Sequence, residues 1–338
     1  MKRTMLLVLA TLATTAAAQE EFAGTRPGPA SAPLALTGTL ILLDVTKIDG
    51  ADQSFAADVF LMLVWRDERL AIDADGVRRL PLDSIWNPRI QIVNQRRVFK
   101  SFDDYVDVTP NGNVTYRQRY TGVFSARLDF HDFPIDEHRF TVQLAVPGYG
   151  PGEVDFVPAV EGEGTSRATV MTVSDWSIGP FDLHTQPFEV VPGGRTIAGL
   201  RGEFEARRHL GFFFGKAFLS VAIIVFMSWV VFWIGTEHIG PRLSVAVTSM
   251  LTLVAYRFLL GQSLPAVSYL TRLDYYLLGA TVLVFLALIQ VTMTGAMTDE
   301  HHLRRATRIN RISRWAFPAA FALLTVLAFA VEFQKAVA

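Results

Sequence analysis

The stretch Arg242–Gln262, RLSVAVTSMLTLVAYRFLLGQ, is apolar over enough residues to form a membrane-crossing helix. Spacings of four and three residues place six of its positions on one helical face, namely Ser244, Thr248, Leu251, Ala255, Phe258 and Gln262. That face is polar at both ends and apolar in the middle. Contact with lipid alone does not require such an ordered stripe, so the pattern favours a helix that lines a water-filled path.

The second half of the chain contains four apolar segments, each near the roughly 20 residues that cross a bilayer. They are Gly211–Ile234, Leu243–Leu260, Tyr275–Met293 and Phe317–Val331. A loop of about 20 residues is predicted between the third and fourth segments, and its five arginines, Arg304, Arg305, Arg308, Arg311 and Arg314, favour the cytoplasmic side. Arg242, in the turn before the second segment, fits the same side. We therefore expect the residues before the first segment, and the C-terminus, to lie outside.

Arg257 lies at membrane depth within the second segment. An ionisable residue there either has a functional role or pairs with a neighbouring helix. Asp274 is the candidate partner for such a pair.

The first half of the chain has the pattern of an exported β domain. Residues 1–18 combine a basic start, an apolar run and three alanines before Gln19, as in a secretory signal peptide. Short β-type runs then alternate with Pro- and Gly-rich turns, which is typical of a β-sandwich. The runs are Leu36–Val45, Ala56–Val64, Ile90–Asn94, Val106–Val108, Val114–Leu128, Phe140–Leu144, Val154–Val157, Ser174–Phe181 and Leu200–Arg207. We predict a signal peptide over 1–18, an immunoglobulin-like β-sandwich over 19–209 and a four-helix membrane domain over 210–338.

Composition excludes several function classes. The chain has no cysteine, which rules out disulfides and thiolate chemistry. It has no metal-spaced histidine pair, nucleophile elbow or phosphate-binding glycine loop, so we expect no enzyme activity, cofactor or metal. Residues 20–209 carry 27 acidic and 19 basic side chains, which argues against nucleic acid and favours cations near the exported half. The acidic clusters Asp103-Asp104 and Asp129 with Asp132 are interpreted as loop charges, with a weak Ca²⁺ site as the alternative.

Four stretches resemble motifs of the pentameric ligand-gated ion channels, also called Cys-loop receptors. They are Trp65-Arg66-Asp67-Glu68-Arg69-Leu70, Ile85-Trp86-Asn87-Pro88 with Asn94 downstream, Phe133-Pro134-Ile135-Asp136, and Arg242–Pro265. The family closes its signature loop with two cysteines, and Ala126 and Phe140 stand at those positions. The chain therefore resembles the bacterial branch of the family, and packing is expected to hold the loop.

The resemblance implies a homopentamer in a lipid bilayer, with one second helix from each copy around a central pore. The stripe then forms rings, with Leu251, Ala255 and Phe258 as the gate, because apolar rings can close a pore by dewetting. The implied coupling residues between the two domains are Asp49, Phe133, Pro134, Asp136, Arg208 and Pro265. An ion pair between Asp136 and Arg208 is expected to tie the signature loop to the first helix.

Agonists of the family bind between adjacent β domains. The candidate ligand-binding residues are Phe60, Tyr149, Phe181, Phe188, Arg117 and Arg119. Two arginines and few aromatic rings suit a carboxylate or another polar small molecule at least as well as an amine. Protons acting on the acidic outer domain are an alternative trigger.

The resemblance favours a channel for monovalent cations in a bacterial inner membrane, with the β domain and the C-terminus in the periplasm. Anion selectivity stays open, because Ile239-Gly240-Pro241 stands where cation-selective relatives often have a carboxylate, and Glu237 is the nearest acid. A membrane-tethered β-sandwich binding protein that conducts no ions is the rival from another class. The ordered stripe distinguishes the two, since a tether does not need one.

Overall fold

The computed structural model describes residues 24–159, 167–211, 213–261, 267–297 and 300–330, with the side chains of 300–303 and 330 excepted. The chain forms two compact units. The first contains the residues up to Leu128 together with His138–Arg207, and it is rich in β-strands. The second contains Asp129–Glu137 and the residues from Arg208 onward, and it is helical. The predicted signal peptide lies outside the described residues.

A long antiparallel hairpin forms the centre of the first unit. Its strands are β1 (Leu34–Asp49) and β2 (Ser54–Arg66), and the residues of both alternate between buried and more exposed positions. In β2 most of the buried residues are apolar, with Val59, Leu61 and Leu63 fully covered. A period of two places these side chains on one face of the sheet, and that face packs into the core.

Two larger sheets and a short hairpin make up the rest of the unit. The seven-stranded sheet runs β3-β6-β7-β2-β1-β9 with β5 paired to β7, the four-stranded sheet runs β10-β13-β8-β4, and β11 pairs with β12. The further strands are β3 (Arg78–Pro81), β4 (Gln91–Ile92), β5 (Gln95–Lys100), β6 (Tyr105–Val108), β7 (Asn113–Ser125), β8 (Glu137–Ala145), β9 (Val154–Pro158), β10 (Trp176–Thr185), β11 (Phe188–Glu189), β12 (Thr196–Ile197) and β13 (Gly199–Arg208).

An aromatic cluster joins the two larger sheets. Phe55 and Phe124 from the seven-stranded sheet are stacked with ring centroids 5.2 Å apart, and Phe140 from the four-stranded sheet meets Phe55 edge-on at 5.1 Å. Phe140 also stacks on Phe204 at 5.2 Å. Such pairs contribute about 0.5–1.5 kcal/mol each beyond area burial. Phe140 thus fills with core packing a position where the resembled family has a cysteine.

The second unit consists of four helices. A π-helical turn, Phe213–Phe218, leads into α1 (Leu219–Val230), and α2 (Ile239–Gly261), α3 (Arg272–Gly295) and α4 (Glu300–Ala330) follow. All four are long and apolar enough to cross a membrane, with the π-turn counted as part of the first. The predicted architecture, a β-rich part followed by four membrane-capable helices, is confirmed.

The predicted loop between the third and fourth helices is wrong. Helix α4 begins at Glu300, so all five arginines lie within it and only four residues separate it from α3. The prediction followed hydropathy, which places the start of the fourth helix at its first apolar run and misses the charged helical turns before that run. Arginine is a good helix former, and Ala306, Asn310 and Ser313 give these turns a buried face.

The strand predicted over Ile90–Asn94 is present but shorter, because only Gln91–Ile92 form β4. Strand β4 belongs to the four-stranded sheet, whereas β5 belongs to the seven-stranded sheet. Asn94 lies between β4 and β5. Its side-chain amide donates to the carbonyl of Ser125 in the seven-stranded sheet (3.0 Å) and to the carbonyl of Thr141 in the four-stranded sheet (2.8 Å). The polar residue therefore marks a change of sheet. The strands β3, β5, β11 and β12 were not predicted.

Candidate functional site

The five described residues of the predicted stripe on α2 are all exposed in the single chain: Ser244, Thr248, Leu251, Ala255 and Phe258. Leu251 is 65% exposed and Phe258 is 74% exposed. The other side of α2 packs against its own unit through Ala246, Ser249, Leu253 and Leu260. Gln262 lies outside the described residues. The helix thus presents the stripe outward and keeps its packed face separate.

Hydroxyl groups near the start of the stripe are bonded to the helix backbone. Thr248 Oγ1 donates to the Ser244 carbonyl at 2.8 Å, and Thr252 Oγ1 donates to the Thr248 carbonyl at 2.8 Å. Each hydroxyl oxygen still has acceptor capacity. This end of the stripe can therefore accept hydrogen bonds from water, whereas Leu251 and Phe258 cannot.

Arg242 anchors the start of α2 inside the helical unit. Its side chain is fully buried, and its guanidinium donates to the Val231 carbonyl (3.2 Å), Thr294 Oγ1 (3.3 Å) and Asn310 Oδ1 (2.9 Å). These acceptors follow α1 or belong to α3 and α4. Sequence reasoning treated Arg242 only as a charge in an inner turn. It missed the anchor because the acceptors are neutral and up to 68 residues away.

The predicted partner of Arg257 is wrong. Arg257 donates to Thr281 Oγ1 at 3.3 Å. Asp274 instead accepts from the backbone N–H and hydroxyl of Thr271 (2.9 and 2.8 Å), and Thr271 accepts from the Asp274 N–H, so the two residues form a capping box at the start of α3. A threonine three residues before an acid is the sequence signal for this cap.

Residues Asp129–Glu137, here called the signature loop, belong to the helical unit. Asp136 is buried and accepts from Arg208 Nε at 2.8 Å and Nη2 at 2.9 Å, so the expected ion pair is present. The same guanidinium lies 4.9 Å from the centroid of the Phe133 ring, and Phe133 packs edge-on against Phe213 at 5.0 Å. The peptide bond from Phe133 to Pro134 is cis. The loop is thus bound to the chain that enters the first helix.

A second anchor of the signature loop was not foreseen. Asp132 accepts from Arg272 Nε at 2.7 Å and pairs with its Nη2 at 2.6 Å, which corrects the interpretation of Asp132 as a loop charge. The backbone N–H groups of Arg272 and Leu273 donate to the carbonyls of His131 (3.1 Å) and Phe133 (3.2 Å). The signature loop is therefore tied to the start of α3 as well as to the start of the first helix.

The other coupling candidates lie elsewhere. Asp49 ends β1 in the first unit, where it accepts from Lys47 Nζ at 2.6 Å and from the backbone N–H groups of Ala51 and Asp52 at 3.1 Å. The hydrogen bond from Lys47, and then the one from the Asp52 backbone, hold the pKa of the Asp49 carboxyl below its usual value. Pro265 lies outside the described residues.

Three ligand candidates lie on the seven-stranded sheet. Phe60 and Arg119 are direct cross-strand partners on β2 and β7, and Phe60 meets Phe102 edge-on at 6.4 Å. Arg119 is bonded to Asp58, and Arg117 pairs with Asp107 at 2.6 Å. A groove of about 810 Å³ adjoins them, lined in part by Phe102, Tyr105 and Arg117. The carboxylates of Asp58 and Asp107 partly neutralise the two arginines, so a ligand that bound either guanidinium would compete with its carboxylate partner.

Two further candidates, Tyr149 and Phe188, come shortly after strands of the four-stranded sheet, β8 and β10. The Tyr149 hydroxyl accepts from Trp86 Nε1 at 3.1 Å, and the two rings meet edge-on at 5.9 Å. Phe188, half-buried on β11, pairs with Ile197 of β12, and the neighbouring Ala198 N–H donates to the Tyr149 carbonyl at 2.9 Å. Trp86 is itself buried, so it holds the Tyr149 side chain in place and is not a ligand candidate of its own.

Phe181 does not fit the predicted ligand site. Its ring is fully buried and lies 6.3 Å from the Phe204 ring in the core between the sheets. A ring in that position is not available to a ligand at the surface. Successive residues of a β-strand point to opposite faces of the sheet. Phe181 lies at a position of β10 whose side chain points into the core, whereas its neighbours point the other way.

Comparisons with known proteins agree with this arrangement. Residues 23–187 match the family model for the neurotransmitter-gated ion-channel ligand binding domain, and residues 221–302 match the model for the corresponding transmembrane region. A proton-gated ion channel of Gloeobacter violaceus is 26% identical over 305 residues, which cover 89% of this chain and 84% of that protein.

Relatives named for a different ligand also match. A gamma-aminobutyric acid receptor subunit beta of Caenorhabditis elegans is 27% identical over 283 residues, covering 78% of this chain and 50% of that subunit. Subunit beta-4 of Gallus gallus is 25% identical over 274 residues, covering 78% and 56%. The chain thus spans about half the length of these receptor subunits. Because the two family models together match most of the chain, on a β-rich unit and on membrane-capable helices, the chain belongs to the neurotransmitter-gated, or pentameric ligand-gated, ion-channel family.

Proposed function

We propose that the protein is a homopentameric ligand-gated channel whose pore is lined by α2. The observation that carries the proposal is the outward stripe on α2, with Ser244, Thr248, Leu251, Ala255 and Phe258 exposed while the opposite side packs inward. Five copies related by a closed rotation would bring the five stripes together around one axis. Gln262 would continue the stripe at the outer mouth.

The gate of this channel comprises the rings of Leu251, Ala255 and Phe258. Apolar rings expel water from a narrow pore and stop ion flow without a physical plug. The hydroxyl rings of Ser244 and Thr248 keep the inner part hydrated. Opening then requires only a modest widening or rotation at the apolar rings.

The signature loop carries the opening signal. It follows β7 and precedes β8 in the chain, so movement of these strands pulls on it directly. Within the helical unit it is bound to Arg208 before the first helix and to Arg272 at the start of α3. A displacement of the loop therefore acts on the starts of the two helices that precede and follow the pore helix in the chain. Asp49 and Pro265 are the remaining coupling candidates.

The trigger is a small polar ligand or protons, acting on the β-rich unit. The name of the Gloeobacter relative favours protons, and the names of the receptor subunits favour a small molecule with a carboxylate. Two groups of residues from neighbouring copies would face each other across the interface between them. One group is Arg117, Arg119 and Phe60 on the seven-stranded sheet, and the other is Tyr149 and Phe188, which follow strands of the four-stranded sheet. Bound carboxylate would displace Asp58 or Asp107 from the arginines.

The permeating ions are monovalent cations. The acidic first half favours cations near the outer mouth, and Glu237, exposed two residues before α2 begins, adds a carboxylate near the inner end. The alternative of anion selectivity rests on Pro241 within the first turn of α2. We place the channel in a bacterial inner membrane with the β-rich unit and C-terminus in the periplasm, since the arginines of α4 favour the cytoplasmic side.

Recording from purified protein in planar bilayers tests the proposal. Currents are measured across a range of pH and with a panel of small carboxylates and amines, and reversal potentials in asymmetric salt identify the ion. Leu251→Ser should shift activation toward weaker stimuli, because a hydroxyl ring hydrates the gate. Leu323→Ser, at an exposed apolar position of α4, is the matched control and should leave activation unchanged. A binding protein without a pore would give no current in any of these variants.

A further inference from the structure

The first membrane-capable helix begins with a turn of unusual geometry. Residues Phe213–Phe218 form a π-helical turn, in which hydrogen bonds join residues five apart instead of four. A π-helical turn therefore holds one residue more than a turn of α-helix. Such turns are rare, and where they occur inside helices they are frequently at functional sites. Within the described part of the chain this is the one stretch of π-helix.

Two tyrosines from other helices bond to the backbone of the π-helical turn. The Tyr256 hydroxyl of α2 donates to the Lys216 carbonyl, and the Tyr276 hydroxyl of α3 donates to the Phe218 carbonyl at 3.3 Å. The Phe218 ring also meets the Tyr276 ring edge-on at 5.3 Å. Tyr276 is buried, so its hydroxyl depends on an acceptor within the protein. The end of the turn is thus bound to both α2 and α3.

The beginning of the π-helical turn contacts the signature loop. Phe213 is buried, and its ring meets the Phe133 ring edge-on at 5.0 Å. The Arg208 guanidinium, which pairs with Asp136, lies 5.8 Å from the centroid of the Phe213 ring. The six residues of the turn therefore connect a contact with the signature loop at one end to a hydrogen bond with the pore helix near the other.

We propose that the π-helical turn is a hinge that converts to α-helix when the channel changes state, and that Tyr256 and Tyr276 are positioning residues that hold the π form. Because a π-helical turn is rare on its own, the two hydroxyl contacts are what favours it here.

The conversion would change the relation between the signature loop and the pore helix. Successive residues of an α-helix are about 100° apart around its axis, so a turn that releases its extra residue rotates the chain on one side by about that angle. The rotation would move the Phe213 ring relative to the Lys216 carbonyl that Tyr256 holds. The inference rests on the proposed channel function, which it deepens by naming the element that moves.

Deletion of Gly215 in the full-length protein tests the hinge. The deletion removes the extra residue, so an α-helical turn then joins the flanking residues in their present places. Activation is recorded in planar bilayers, and its midpoint should shift by about 25-fold in stimulus concentration, because the π form loses both hydroxyl contacts at about fivefold each. Gly215→Ala is the matched control. It keeps the number of residues, a Cβ atom there meets nothing within 4 Å, and the midpoint should stay unchanged.

The tyrosine variants test the same hinge without a change in chain length, so they remain decisive if the deletion variant does not fold. Tyr256→Phe and Tyr276→Phe should each move the midpoint about fivefold, in the same direction as the deletion of Gly215. When Tyr256→Phe is added to the deletion, it should have no further effect, because the π form is already absent. In thermal unfolding, Tyr256→Phe should likewise lower the unfolding temperature of the wild type but not that of the deletion variant.

Three results would overturn the hinge while leaving the proposed channel intact. They are wild-type activation in both tyrosine variants, shifts of the tyrosine variants opposite to that of the deletion, and an undiminished effect of Tyr256→Phe in the deletion background. A wild type that carries no current under any stimulus would instead contradict the channel function and the hinge together.

Discussion

Asp136 and Arg208 form an enclosed ion pair, with 1% and 14% of their side chains exposed. Two parallel hydrogen bonds join them, and the Phe133 ring covers the guanidinium. The sequence predicts this pair because both residues fall at recognisable family positions. It does not predict Asp132 with Arg272, because the two are 140 residues apart and Asp132 sits in an ordinary turn.

Removing the charge of Asp136 should destabilise the helical unit. Asp136→Asn leaves the Arg208 guanidinium enclosed without its counter-charge, which costs about 3 kcal/mol. The measurement is thermal unfolding of the purified protein followed by circular dichroism, with exposed Asp103→Asn as the control. Asp136→Asn/Arg208→Gln should be less destabilised than the single variant. If Asp136→Asn unfolds at the wild-type temperature, the pair has no structural role.

Asp49 should not be the proton sensor of the channel. The hydrogen bonds from Lys47 and from the Asp52 backbone lower the pKa of the folded carboxyl. Its contribution to stability is therefore present above the unfolded pKa of about 3.9 and is lost only as pH falls through the lower folded value. Asp49→Asn should leave the midpoint of any activation between pH 5 and 7 unchanged. The readout is current against pH, and a midpoint moved by the substitution would show that Asp49 titrates in that range.

Helix α2 is the element on which the proposed function rests, and its sequence predicts much of its structure. The alternation of polar and apolar positions predicts the outward stripe because helical periodicity is a local property. The anchor at Arg242 depends on Val231, Thr294 and Asn310, which only the folded chain brings together. Helix α4 shows the same limit of local patterns. Its charged turns have the sequence pattern of a loop, and the burial of Ala306, Asn310 and Ser313 that favours a helix there exists only in the folded chain.

Arg242→Gln should loosen the inner end of α2. The substitution removes most of the donors that hold the helix to Val231, Thr294 and Asn310 and should cost about 3 kcal/mol, since hydrogen bonds to charged groups contribute about 1.5–3 kcal/mol each. Arg257→Gln, which loses one bond to Thr281, is the control and should cost less. Thermal unfolding gives the stability, and open probability in single-channel recording gives the effect on gating. Equal losses for the two variants would contradict the anchoring role of Arg242.

The whole molecule combines a β-rich unit held by aromatic packing with a helical unit that holds the signature loop. The composition predicts this division, because short strands with turns precede long apolar segments. The order of strands in the sheets follows from pairings between distant residues, such as those of β1 with β9, which local patterns do not contain. The proposed assembly of five copies would likewise depend on surfaces that become complementary only between chains.

The most direct test of a pore lined by α2 is cysteine accessibility, for which a chain without cysteine needs no background substitutions. Single cysteines are introduced at Ser244, Thr248, Leu251, Ala255 and Phe258, and at the packed positions Ala246, Ser249 and Leu253 as controls. A charged, water-soluble thiol reagent is applied during recording in planar bilayers. A pore lined by the stripe predicts that the reagent changes the current at the stripe positions when the channel is open and leaves it unchanged at the packed positions. Modification at the packed positions with no effect along the stripe would contradict it.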